Sequence, residues 1–273
     1  MTSRLDYAWG LSRAIGPRAA LDLLVRHARG ARGLMTVTTG THQLSVRPGD
    51  SDFKVLTQIF GFEDYDIGAH KRDVLRDRAR AGRAAGFTPI IIDAGANIGC
   101  SALYLARLVP EALVIAIEVD RDAFALLEAN CAGEAAIRCV NAALWRDDQG
   151  VLLIGAAAQS WAHAVEPGGD APSCTLESLL AAIPNADPLM LKLDIEGAER
   201  EVCEASAALV AQFPCILVEP HDFMRAGAGC LSPLYRALAH KRMDTVLMGE
   251  NLLFFESDLL VRQAEPVAHA QTT

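Results

Sequence analysis

A chain of 273 residues, 51% hydrophobic and 22% charged, can bury the core of one large domain, which excludes wholesale disorder. Its 34 acidic residues outnumber 25 basic ones and give a formal charge of -9, the wrong sign for gripping nucleic-acid phosphates through the whole surface. Mean hydropathy is high, at +0.20, yet no uncharged apolar run approaches the roughly 20 residues of a membrane helix.

Met1 to Asp6 has no apolar stretch behind its first basic residue, so no signal peptide is visible. The cysteines are Cys100, Cys131, Cys139, Cys174, Cys203, Cys215 and Cys230. They are odd in number and lack CxxC spacing, and they read as reduced core residues of a cytoplasmic protein. Texture divides the chain into an Arg-rich amino-terminal extension (1–87), a main domain (88–262) and a polar tail (263–273).

In the main domain, apolar strands alternate with Ala/Leu-rich helices, the pattern of a parallel sheet covered on both faces. Strands are predicted at 90–92, 113–117, 137–140, 189–193 and 215–218, with an accessory strand at 151–154. Helices are predicted at 98–108, 121–131, 175–183 with Thr175 as N-cap, 196–209 and 231–241. The runs 245–248 and 252–255 are separated only by Gly249, Glu250 and Asn251. That is too short for a parallel crossover, so the sheet is predicted to end in an antiparallel hairpin.

The strongest motif is Asp93-Ala94-Gly95-Ala96-Asn97-Ile98-Gly99, which follows a strand and opens a helix. Gly95 permits a tight turn and close ligand approach. A dinucleotide fingerprint would put glycines at 95, 97 and 100, where Asn97 and Cys100 stand instead, so pyrophosphate would be crowded. An amino-acid-like group fits better, with Asp93 facing its ammonium and the turn N–H groups its carboxylate. Glu118 closes the next strand, placed to accept from both ribose hydroxyls. Asn141 and Ala142 follow the third strand, where an adenine would lie. Adenosine joined to an amino acid is S-adenosylmethionine.

These features resemble the class I S-adenosylmethionine-dependent methyltransferases, and within them the FkbM-type family. The further matches are 45–52 with Tyr65, Asn141 to Leu144, Thr175-Leu176-Glu177, Val218-Glu219-Pro220-His221, and above all Leu191-Lys192-Leu193-Asp194-Ile195-Glu196-Gly197-Ala198-Glu199. Val119 departs from the family's usual Pro after the ribose acid. The resemblance, over about 44–256, implies a Rossmann-like seven-stranded α/β sheet with helices on both faces and an amino-terminal α/β extension. It implies S-adenosylmethionine as cofactor, held by Asp93, Gly95, Asn97, Gly99, Glu118, Asn141, Ala142 and Asp194. It also implies methyl transfer to a hydroxyl of a sugar, glycoside or other natural product. The competing readings are an NAD(P)-dependent oxidoreductase and a non-catalytic S-adenosylmethionine-binding protein.

A hydroxyl acceptor must lose its proton as the methyl–oxygen bond forms. His221 is expected as base, with Glu219 orienting its ring and Asp194 beside it, and no metal is expected. Asp52, Phe53 and Tyr65 are expected in a lid over the acceptor. The run 70–83 carries Lys71, Arg72, Arg76, Arg78, Arg80 and Arg83. It reads as a solvated helix face or as a mouth for an anionic acceptor. His42, His70 and His163 read as surface or packing residues. The expected partner is a small-molecule or glycoside acceptor, with no nucleic acid and no membrane span; self-association is left open.

Overall fold

The computed structural model describes residues 4–154, 164–223 and 225–262; His163 and the 263–273 tail lie outside them. The amino-terminal part contains α1 (Arg4–Ile15), α2 (Pro17–Ala28), the hairpin of β1 (Met35–Thr39) and β2 (His42–Val46), α3 (Asp52–Leu56), a π-helical turn (Thr57–Phe62) and α4 (Ala69–Ala84). The alternation then begins with β3 (Thr88–Ala94), α5 (Cys100–Leu108), β4 (Leu113–Ile117), α6 (Arg121–Cys131) and β5 (Ile137–Val140). A segment of short pieces follows: β6 (Ala143–Leu144), β7 (Val151–Ile154), β8 (Ala164–Pro167), β9 (Ser173–Cys174) and α7 (Leu176–Ala181). The chain returns through β10 (Ala186–Leu193), α8 (Glu199–Ala205), α9 (Ala207–Val210), β11 (Cys215–Val218) and α10 (Ser232–Leu238). It ends with β12 (Met243–Met248), β13 (Asn251–Glu256) and α11 (Ser257–Arg262).

Seven strands form one sheet in the order β12-β13-β11-β10-β3-β4-β5. β13 runs antiparallel to both its neighbours, and the other neighbouring pairs are parallel. The chain moves outward from β3 to β5 and then crosses back to β10 on the other side of β3. That reversal opens a crevice at the carboxyl ends of β3 and β10. Ile90 and Ile92 join the core on one sheet face and Ile91 the core on the other, because successive strand side chains alternate. The first face is covered by α7 to α10. On the second, Leu11, Leu23, Leu44 and Leu75 of the amino-terminal part share one core with Ile91 and Val114.

Thr175 caps α7 in a reciprocal capping box with Ser178, and Asp120 caps α6 through the Ala123 N–H. Three expectations need correction. The single helix predicted over 196–209 is broken at Ser206 into α8 and α9. The helix predicted from 196 starts at Glu199, because Glu196 (φ 55°) and Gly197 (φ 94°) adopt left-handed backbone that no α-helix accepts. The hairpin loop has two residues, since Asn251 pairs with Met248. β7 does pair outside the main sheet, with β8. All seven cysteines are free. Among the described residues, no helix is long and apolar enough to cross a membrane.

Candidate active site

A cavity of about 870 Å³ sits over the carboxyl ends of β3, β4, β10 and β11. Its floor is the strand ends and the glycine turn. Its opposite wall comes from the amino-terminal part, through Tyr7, Lys54, Ile59, Phe62 and Tyr65. Trp9 and Phe223, 58% and 78% exposed, stand at its rim. Tyr65 is buried and Asp52 fully buried, the latter held by the Arg47 backbone N–H and guanidinium rather than facing the cavity. Phe53 packs on the His27 ring.

Gly95 (φ 77°) passes so close to β10 that a Cβ would collide with the Asp194 carbonyl. The glycine is thus required by the packing of the turn against the end of β10. The turn's amides are spent differently from the expectation. The Gly95 and Ala96 N–H groups both donate to Ile117 O (3.0 and 2.9 Å), and the Asn97 N–H donates to Glu118 Oε2 (2.9 Å). Glu118 Oε1 accepts from the Asp120 N–H (2.8 Å). Each carboxylate oxygen thus keeps a lone pair for a hydroxyl donor. Burial raises the Glu118 pKa to about 7, against the pull of those two N–H bonds.

Asp93 does not face the cavity, where a cofactor ammonium would lie. It is fully buried, its Oδ2 accepts from Ser101 Oγ (2.7 Å), and its Oδ1 pairs with Lys192 Nζ at 3.1 Å. Lys192, which the sequence reading left without a role, lies directly opposite Asp93 in the β3–β10 register and is 1% exposed. Its ammonium also donates to the carbonyls of Ala94 (3.1 Å) and Gly95 (2.8 Å) and lies 3.6 Å from Asp194. Burial lowers its pKa, but the carboxylates, Asp93 foremost, more than offset that and raise it. The signal in the sequence was a lysine inside the apolar run Leu189-Met190-Leu191-Lys192-Leu193.

Asn141 is likewise corrected. Its amide donates to the carbonyls of Glu118 (2.9 Å) and Val119 (3.3 Å), so it holds the loop rather than an adenine. Gly99 (φ 93°) is buried against Leu127 and Cys131. Gly95, Asn97, Glu118, Ala142 and Asp194 line the cavity, while Asp93, Gly99 and Asn141 support it from behind.

Asp194, Glu196, Glu219 and His221 meet on the other side of the cavity. His221 is 2% exposed, and Glu199, fully buried, holds its Nδ1 at 2.8 Å. Glu199, not Glu219, therefore orients the ring. Nε2 points to Glu196 Oε2 (3.5 Å) and Asp194 Oδ1 (3.9 Å). Burial would lower the His221 pKa, but the Glu199 bond and the neighbouring charges raise it to about 9. Burial lifts Glu196 to about 7 and Glu219 to about 8, the latter aided by Asp194.

The basic run of α4 is elsewhere. Arg78 pairs with Asp187 at the start of β10, Arg80 with Glu111, and Arg76 donates to the carbonyls of Arg107 and Leu108. These partners precede the strands, at the end of the sheet away from the cavity, so α4 offers no anionic mouth. His70 is exposed, and His42 lies 3.5 Å from Glu134.

The Methyltransferase FkbM domain matches residues 93–254, more than half of the chain. No curated protein sequence matches it. Among solved structures, it is similar to a precorrin-6y C5,15-methyltransferase from Geobacter metallireducens GS-15 (11% identity, 67% of this chain and 83% of that one, TM-score 0.36). It is also similar to the Methanococcus jannaschii fibrillarin pre-rRNA processing protein (12%, 62% and 65%, TM-score 0.39) and to the bifunctional kinase-methyltransferase WbdD (14%, 72% and 42%, TM-score 0.39). The sheet order and the family match agree: this chain belongs to the FkbM methyltransferase family, with S-adenosylmethionine as its cofactor.

Proposed function

We propose that this methyltransferase acts on a hydroxyl oxygen of a sugar, glycoside or other natural-product acceptor. S-adenosylmethionine supplies an electrophilic sulfonium methyl. The residues that would hold it are Gly95, Asn97, Glu118, Ala142 and Asp194 directly, with Asp93, Gly99 and Asn141 fixing their backbone. Residues 1–87 supply the acceptor-side wall and 88–262 the catalytic domain.

The observation that carries the oxygen assignment is the convergence of Asp194, Glu219 and His221 beside the glycine turn. A hydroxyl has a pKa far above 7 and needs activation as it attacks. These three residues position and activate it, with the ring of His221 fixed from behind by Glu199. The cavity is also lined by Asp6, Asp64, Glu196 and Glu250. So many acids repel phosphate chains and favour an uncharged or cationic small molecule over a nucleic acid.

The test is incubation with methyl-labelled S-adenosylmethionine and a panel of glycosides, alongside calorimetry of S-adenosylhomocysteine and NAD. Label in an acid-stable O-methyl ether supports the reading, and His221→Ala then lowers kcat by roughly 10²–10⁴ with cofactor affinity nearly unchanged. Label found only on nitrogen or sulfur overturns the oxygen assignment. Binding of NAD without S-adenosylhomocysteine would return the oxidoreductase reading.

A further inference from the structure

Asp194 closes β10, and Glu219 and His221 follow β11. Among the described residues they alone bring one carboxylate or imidazole atom each within 4.8 Å of one another. An ion-paired histidine accounts for only part of this arrangement. Nδ1 of His221 is committed to Glu199. Nε2 makes no hydrogen bond among the described residues, although the ring is 2% exposed and aimed at the acids. Glu196 Oε2, 3.5 Å from that nitrogen, is buried without a hydrogen-bond partner. Asp194, Glu196, Glu199 and Glu219 thus surround one imidazole, and Lys192, 3.6 Å from Asp194, is already shared with Asp93.

We propose that Asp194, Glu219 and His221 Nε2 bind a divalent cation of the Mg²⁺ or Mn²⁺ class, which takes the acceptor hydroxyl at an open position. The proposal rests on the hydroxyl-methylation reading above. Two carboxylate oxygens and one imidazole form a hard to borderline donor set suited to such ions. A carboxylate on the far ring nitrogen is the usual partner of a metal-ligating histidine, because it fixes the tautomer that aims the other nitrogen. Ligands with bonds of about 2.1 Å stand about 3.0 Å apart when adjacent and about 4.2 Å when opposite. Closing from 4.8 Å or less asks for side-chain movement of about 1 Å. Three protein ligands leave positions for the hydroxyl and water. In the reaction, the hydroxyl O–H bond breaks with its proton passing to solvent water. The oxygen's electron pair then forms the bond to the methyl carbon as the carbon–sulfur bond breaks, leaving the thioether.

The experiment uses the full chain stripped with EDTA and titrated with MnCl₂, free Mn²⁺ being read by electron paramagnetic resonance. One saturable ion per chain is expected, with Glu219→Gln and Asp194→Asn each weakening it at least about tenfold. Calorimetry of S-adenosylhomocysteine is run on the same metal-free samples. Affinity retained by Glu219→Gln shows that this variant keeps a folded cofactor half. No saturable Mn²⁺ binding up to millimolar concentration, or equal binding in wild type and both variants, overturns the cation site. If S-adenosylhomocysteine still binds in that event, the methyltransferase reading stands and only the cation is lost.

Discussion

Lys192→Met removes the cation beneath the glycine turn while keeping most of its volume, so little cavity forms. The ammonium is 1% exposed, pairs with Asp93 at 3.1 Å and donates to the Ala94 and Gly95 carbonyls. The variant leaves the Asp93 carboxylate fully buried with only the Ser101 hydroxyl as partner. Breaking a buried pair from one side costs about 3–5 kcal/mol. The lost carbonyl bonds do not add in full, because Asp93 can take up a proton and Ala94 O keeps its bond from the Asp194 N–H. For a chain of this size, about 3–5 kcal/mol lowers Tm by roughly 6–20 °C. Urea and thermal unfolding at pH 7 measure it, and adding Asp93→Asn should recover at least about 1 kcal/mol by removing the orphaned charge. A single-variant loss below about 1 kcal/mol, or a double variant whose losses simply add, would refute the view that this ion pair holds the turn.

Glu118→Ala should weaken S-adenosylhomocysteine by roughly ten- to hundredfold, the worth of charge-assisted bonds to two ribose hydroxyls at about 1.5–3 kcal/mol. Calorimetry checks it, and unchanged affinity removes Glu118 from the cofactor site. Asp64, whose pKa burial and Glu250 raise to about 6, favours its neutral form in the fold. Its contribution to stability is therefore complete below the ordinary value of 3.8 and lost as pH rises through 6. Asp64→Asn should gain on wild type between pH 4 and pH 8 by roughly 1 kcal/mol, once solvent screening of this partly exposed group is allowed for. Denaturation midpoints at the two pH values read the difference, and an equal offset at both contradicts it.

Much of the frame was legible because the signals are local. β4, β5 and β11 end where Glu118, Asn141 and Glu219 were expected to begin their loops, and the two closing apolar runs could only be a hairpin. What escaped is what depends on register. Asp93 looked like a ligand-facing acid until the β3–β10 pairing set Lys192 directly across from it. Glu199 looked like one more acid in a motif, yet the left-handed turn at Glu196 and Gly197 brings it under His221. Asn141 was placed at the right strand end, but its amide turns to neighbouring carbonyls, a choice of side-chain direction that residue order does not encode.

The wall that faces the glycine turn is no detachable module. Leu11, Leu23, Leu44 and Leu75 belong to the same apolar cluster as Ile91 and Val114, so the amino-terminal part completes one face of the sheet as well as one side of the cavity. Grafting a relative's amino-terminal segment onto this chain would trade a fitted apolar face for a mismatched one before it changed any preference. Redesign is better confined to side chains that reach the cavity without anchoring that face. Trp9 and Gln58 meet this condition: both line the cavity, and neither belongs to the shared buried core.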